Sequence, residues 1–173
     1  MKTDIGDHQV ATFWCAIQVA PQHEMAVSKI LSNKGYDHFT PTYHLKRQWS
    51  DRVKYLERPL FPGYVFCRIQ KGVAGPIYTT PGVMRIVSCG GSISSIEEGE
   101  IDNLKKAVDS GRPLIPSCWA VGQKVRITQG PLSGITGTLR CVANGRQLVL
   151  SIDLLMKAVS VAVDAEDVIA EAA

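Results

Sequence analysis

Gly111-Arg112-Pro113-Leu114-Ile115-Pro116 divides this sequence into two stretches of different texture. Neither proline can sit inside a helix, because each lacks an amide hydrogen and its ring clashes with the preceding turn. On its N-terminal side strand-like and helix-like patterns alternate; on its C-terminal side only short strands follow. The stretch therefore reads as a linker, covering residues 112–120, between domains at 13–111 and 121–170. A chain of 173 residues has room for two such small domains and excludes a large barrel enzyme.

Before the prolines, Phe13 to Val19 (FWCAIQV) has strand composition. Pro21 introduces a helical pattern carried by Val27, Ile30 and Leu31 and stopped at Gly35. Phe39 to Trp49 alternates again, Gly63 to Ile69 (GYVFCRI) is β-branched and aromatic, and Val83 to Cys89 follows the Pro81-Gly82 turn. Ser95 and Glu98 have capping-box spacing ahead of Ile101, Leu104 and Val108, predicting a last helix that ends at Gly111. After the prolines, Val125/Ile127, Ile135/Leu139/Cys141, Leu148/Leu150/Ile152 and Val159/Val161/Val163 alternate, with Asn144-Gly145 as a hairpin turn signal. The expected fold class is α+β: an N-terminal antiparallel sheet flanked by helices, then a small all-β barrel.

Alternation also sorts the strands into faces. Phe13, Cys15, Ile17 and Val19 share one side of the first strand, and Trp14, Ala16 and Gln18 the other. Two helices covering one side of the sheet would leave Trp14, Tyr64 and the adjoining Phe61 on the uncovered side, the composition of a protein contact patch. A loop or the second domain lying over these rings is the competing reading, and from the faces alone it carries more weight, since most aromatics are largely buried.

Composition narrows the function. Hydrophobic residues make up 45% and charged residues 20%, the balance of a packed globular chain. No stretch approaches the roughly 18 apolar residues of a membrane span, and residues 1–12 lack a secretory apolar block, so the expected location is cytoplasmic. Five dispersed cysteines without CxxC read as buried thiols, and the four histidines have no metal spacing. With no GxSxG, HExxH, phosphate-cradling glycine loop or GxGxxG, the sequence supplies no catalytic residue, metal or cofactor, and binding is favoured over catalysis. Through Arg112 there are 14 basic and 11 acidic residues; beyond it there are 5 of each. The excess gathers at Lys46, Arg47, Arg52, Lys54 and Arg58, with Trp49 and Tyr55 among them. A solvated loop and a nucleic-acid or acidic-protein contact explain this run equally well.

Arg58 to Phe66 (RPLFPGYVF), Phe13-Trp14 and Thr80 to Val87 (TPGVMRIV) resemble the N-terminal (NGN) domain of NusG-type transcription elongation and antitermination factors. Val121 to Leu139 (VGQKVRITQGPLSGITGTL) is similar to the KOW motif of the same family, whose domain is an SH3-like barrel. The resemblance spans about residues 13 to 170. It implies a non-enzymatic, monomeric factor that suppresses pausing or termination. Trp14, Phe61, Pro62 and Tyr64 match the surface that binds the clamp helices of the largest catalytic subunit of RNA polymerase, which places this patch on the outside. Tyr78, Thr79 and Thr80 match a region that approaches the opposite side of the polymerase cleft. Lys46, Arg47, Trp49, Arg52 and Lys54 are assigned to upstream DNA, chiefly the non-template strand, with Trp49 stacking on a base. Gly130, Pro131, Leu132 and Gly134 are assigned to a KOW partner, the ribosomal small subunit or termination factor Rho. Two positions depart from the family pattern: Cys15 where an aromatic is common, and Leu132 where phenylalanine is. RPLFPGYVF and TPGVMRIVSCGG are more similar to operon-specific paralogues than to the housekeeping factor. Some such paralogues refold the C-terminal domain as helices, and Asp153 to Ala158 (DLLMKA) is helix-friendly, but the Val159/Val161/Val163 alternation predicts a barrel. The alternative function, an RNA-binding or ribosome-associated KOW module, is disfavoured by the neutral charge beyond Arg112.

Overall fold

The computed structural model describes residues 11–48, 53–118, 122–142 and 145–171. β1 (Thr12–Val19) and β5 (Tyr64–Gln70) pair antiparallel, with Trp14 opposite Arg68, Cys15 opposite Cys67 and Ile17 opposite Val65. Between them lie α1 (Glu24–Asn33), the short β2 (His38–Phe39), β3 (Thr42–Gln48) and β4 (Val53–Pro59). A one-turn helix α2 (Gly75–Tyr78), β6 (Val83–Ile86), the small hairpin β7 (Ser88–Cys89) and β8 (Ser92–Ile93), and α3 (Glu98–Asp109) complete the first domain. Its main sheet runs β2-β5-β1-β6, while β3 and β4 pair with each other as a separate ribbon.

The alternation read from the sequence sorts two cores. Cys15, Ile17, Val65, Cys67 and Ile69 face Val27 and Leu31 of α1, with Ile77 of α2. Trp14, Ala16 and Phe66 face the other way, toward Ile101, Leu104 and Ala107 of α3. The helices are thus split between the two faces instead of sharing one, because α3 has its own apolar stripe at helical spacing to bury. The capping box is not used: Glu97 occupies the N-cap of α3 without a side-chain cap bond. Glu98 instead pairs with Arg68.

Beyond α3 the chain forms β9 (Leu114–Cys118), β10 (Lys124–Ile127), β11 (Thr136–Val142), β12 (Gly145–Ile152), β13 (Lys157–Val163) and β14 (Val168–Ala170). They make one antiparallel sheet in the order β14-β10-β11-β12-β13-β9, around Val125, Ile127, Ile135, Leu148, Leu150, Ile152, Val159 and Val161. Half of the expected linker is therefore a strand: Leu114 to Cys118 pair with Val161 to Lys157. Pro116 is tolerated there because β9 is an edge strand, with one side free of ladder bonds. Asn144 lies outside the described residues, while Gly145 pairs with Val142 across the hairpin. Asp153–Leu155 makes a single 3-10 turn before β13, so the C-terminal domain is a barrel and not a helical hairpin.

At Gly137 the neighbouring strand comes too close for any side chain. A Cβ built there would lie 2.7 Å from the Val149 carbonyl oxygen and 3.1 Å from Leu148. The backbone of the neighbouring strand cannot retreat without breaking the β11–β12 ladder. Gly137→Ala is expected to destabilise the barrel by about 1–3 kcal/mol, an overpacking penalty, read as a lowered midpoint in thermal or urea unfolding with the circular-dichroism spectrum at low temperature unchanged.

Candidate functional site

The turn that joins β4 to β5 presents the Phe-Pro-Gly-Tyr segment. The Tyr64 N–H donates to the Phe61 carbonyl at 3.1 Å, with Pro62 and Gly63 at the centre and Gly63 at φ +83°. This is proline then glycine in the order a type II turn requires. The turn is pinned from two sides: the Gly63 N–H donates to the buried Glu24 carboxylate at 2.8 Å, and the Gly63 carbonyl accepts from the Val19 N–H at 2.9 Å.

Trp14 and Phe61 do not lie on an open surface. Trp14 is 2% exposed and Phe61 1%. Lys105 of α3 places its ammonium 4.5 Å from the centre of the Trp14 ring, Arg68 lies 5.7 Å away, and the Ile96 N–H donates to the Trp14 carbonyl at 2.8 Å. Phe61 meets Phe66 edge-on at 5.3 Å. The same apolar cluster continues through Ile101 and Leu104 into Leu148, Leu150 and Val159 of the barrel. The expectation of an exposed patch is therefore corrected: α3 and the second domain complete a core around these rings. Pro62 is exposed, and Tyr64 is half-buried beneath Lys157 of the barrel, whose Nζ is 5.7 Å from the ring centre.

Polar contacts fix this arrangement. Asn103 Nδ2 donates to the Thr136 carbonyl and hydroxyl, both at 3.2 Å, and the Asp153 N–H donates to Glu100 Oε1 at 3.1 Å. Arg112 donates to the Ala162 carbonyl at 3.1 Å and faces Asp164 at 3.7 Å. Beside these contacts lies a cleft of about 340 Å³ lined by Glu97, Glu100, Lys124, Thr138, Ser151 and Glu171 among others. Burial raises the Glu100 pKa above its ordinary value; the Asp153 N–H opposes this, and the charges of Asp153 and Glu97 add to it. Glu100, Asn103 and Lys157 carry no direct signal in the sequence, since each is polar and none belongs to a motif.

The other expected sites are separate. Tyr78 is 52% exposed and Thr79 is also exposed, while Thr80 is buried, its hydroxyl donating to the Pro76 carbonyl and accepting from Lys34 Nζ at 2.9 Å. α2, which ends at Tyr78 just before Thr79 and Thr80, packs through Ile77 on the α1 face, opposite Trp14 and Phe61. Lys46 and Lys54 stand exposed on β3 and β4, so the basic run is a ribbon and not a loop; Arg47 pairs with Lys54 along its backbone, and Trp49 and Arg52 lie outside the described residues. In the barrel, Gly130 and Gly134 adopt φ of +75° and +85°, and Pro131 is exposed, but the Leu132 side chain is buried. Among the described cysteines, Cys15 and Cys67 are buried thiols as expected, with pKa values pushed up to about 12 by burial, whereas Cys89 is exposed. Among the described residues no group of histidine, cysteine and carboxylate side chains is arranged to hold a metal, and no helix is long and apolar enough to cross a membrane.

The fold is α+β: a helix-flanked antiparallel sheet followed by an all-β sheet of six strands. The family model described as "Transcription termination factor nusG" matches residues 12–105. The transcription termination/antitermination protein NusG of Helicobacter pylori strain J99 is 27% identical over 139 residues, 73% of this chain and 79% of that protein. NusG of Lactococcus lactis is 28% identical over 129 residues, 72% of this chain and 69% of that protein. Among solved structures, one titled "Domain interaction in Thermotoga maritima NusG" superposes with a TM-score of 0.53 at 18% identity, covering 91% of this chain and 96% of that one. The chain belongs to the NusG family of transcription termination and antitermination factors.

Glu100 makes the packing of the two domains sensitive to pH. Its pKa is higher in the packed arrangement than in the unfolded chain, so its contribution to stability is fully present below the ordinary value of 4.5 and is lost as pH rises through the raised value. Glu100→Gln keeps an acceptor for the Asp153 N–H and removes the charge. The expected outcome is a thermal midpoint above wild type at neutral pH, with the difference between the two proteins vanishing at acid pH.

Proposed function

We propose that this protein acts on transcribing RNA polymerase as an elongation or antitermination factor, catalysing nothing itself. The N-terminal domain binds the clamp helices of the largest catalytic subunit through Trp14, Phe61, Pro62 and Tyr64, and Tyr78, Thr79 and Thr80 approach the far side of the cleft. The observation that carries this reading is the pinned Phe61-Pro62-Gly63-Tyr64 turn, built by the segment that carries the family resemblance. The helix that carries Tyr78 packs through Ile77 on the sheet side opposite Phe61, which supports a factor that bridges two walls. Bridging would disfavour an open, paused enzyme by differential affinity for the two states. The Gly130, Pro131, Leu132 and Gly134 loop recruits a further partner, the ribosomal small subunit or Rho, with Pro131 as its accessible side chain and Leu132 shaping the loop from within.

In the packed arrangement Phe61 is closed off and Tyr64 lies beneath Lys157, which supports a requirement that the barrel move before the clamp helices dock. Affinity is then reduced by the fraction of molecules that are open. Capture of purified core polymerase on immobilised protein tests both parts. Tyr64→Ala is expected to weaken capture. Asn103→Ala combined with Arg112→Ala, which removes contacts on the barrel side, is expected to strengthen it roughly tenfold, the effect of about 1.4 kcal/mol on opening. Equal capture by all three proteins would count against this surface.

A further inference from the structure

We propose that the β3–β4 ribbon is a platform for single-stranded nucleic acid on which the Tyr55 ring stacks against an unpaired base. The inference deepens the assignment of the basic run to DNA and rests on it, but it concerns a residue outside that assignment and needs no polymerase.

Residues facing each other across an antiparallel pair share a face. Tyr55 is opposite Lys46, and Val53 is opposite Gln48. Tyr55 is 66% exposed, Val53 two positions along is exposed as well, and so is Lys46. The ribbon's apolar packing is done on its other face, where Leu45 and Leu56 are opposite each other and half-buried, and where Tyr43 at the base packs against the main core. Tyr55 therefore has no burial to gain inside the protein. A large ring held out on a strand with a lysine directly beside it provides the two parts of single-strand recognition: a π-face for a base and a cation for the adjoining phosphate.

Charge selects the partner. Residues 42–59 hold five basic and two acidic side chains, an excess equal to the net charge of +3 of the entire chain. The one acidic residue within the described ribbon, Glu57, accepts from the Thr42 hydroxyl at 2.7 Å and lies opposite His44, toward the base and away from the ribbon's tip. Exposed cations stand on both faces, Lys46 on one and Lys54 and Arg58 on the other, so a flexible backbone can follow the ribbon around its edge. A duplex keeps its base faces stacked internally and would meet these cations only through phosphates. Stacking is the contact that distinguishes a single strand, and Tyr55 is the residue placed to make it.

The test uses the full chain and fluorescence anisotropy with a short labelled oligothymidine and, separately, a duplex of similar length. Wild type is expected to bind the oligothymidine more tightly. Tyr55→Ala should weaken that binding about five- to a hundredfold while leaving duplex binding unchanged, and Tyr55→Phe should restore it. Lys46→Ala should weaken both ligands and lower the dependence of affinity on salt. Because Tyr55 is exposed, the variants are expected to keep the wild-type circular-dichroism spectrum. Unchanged oligothymidine binding by Tyr55→Ala, or equal losses on both ligands, overturns the stacking role while the basic ribbon stands as a phosphate contact. Failure of wild type to bind either ligand overturns the nucleic-acid reading of the ribbon altogether.

Discussion

Everything in the first domain is organised by the register between β1 and β5. Setting Trp14 opposite Arg68 and Cys15 opposite Cys67 commits every second side chain of both strands to one face or the other. A slip of one residue would invert both faces together. In the observed register Cys15, Ile17, Val65 and Cys67 close against α1, and Trp14, Ala16 and Phe66 close against α3. The first core is self-contained. The second is not, because it runs through α3 into the barrel, so the same pairing that folds the N-terminal domain also prepares the surface on which the C-terminal domain rests. The paired cysteines fit this structural role: burial holds both thiols far from the thiolate form, and an inert thiol is a small apolar side chain.

Much of this was legible as period-two alternation, and the failures have physical causes. Alternation shows that Trp14 lies opposite Cys15, but it does not show which helix covers which face. With two helices of similar length and one sheet, one-sided coverage and split coverage bury comparable apolar stripes. The prolines at 113 and 116 correctly excluded a helix, yet they do not exclude an edge strand, and β9 uses that permission. The basic run was harder to place. Alternation marks Phe39 to Trp49, but β4 is made largely of charged and polar side chains without a hydrophobic period, so a free-standing ribbon and a strand followed by a loop look alike in sequence. The Phe-Pro-Gly-Tyr turn was readable because its chemistry is local, proline and glycine each occupying the position its backbone angles demand.

The contact residues between the domains were not readable at all, and this bears on how the protein works. Asn103, Glu100, Arg112 and Lys157 are polar, solitary in sequence and joined only by the packing of the two domains. Polar groups at such a contact cost little when it opens, because water replaces each hydrogen bond nearly in kind, and their net contribution is about 0.5–1.5 kcal/mol apiece. The apolar part resists opening more strongly. Yet Phe61 and Tyr64 are the groups whose exposure another protein could reward, since an aromatic ring regains on docking what it loses on release from the barrel. A surface that is apolar enough to bind a partner is apolar enough to bind its own second domain. The polar rim and the half-buried Glu100 add little to that second interaction, since their hydrogen bonds exchange with water and burial disfavours the Glu100 charge. The ribbon lies apart from this competition, paired with itself, so its Tyr55 face is available whether the barrel is docked or free.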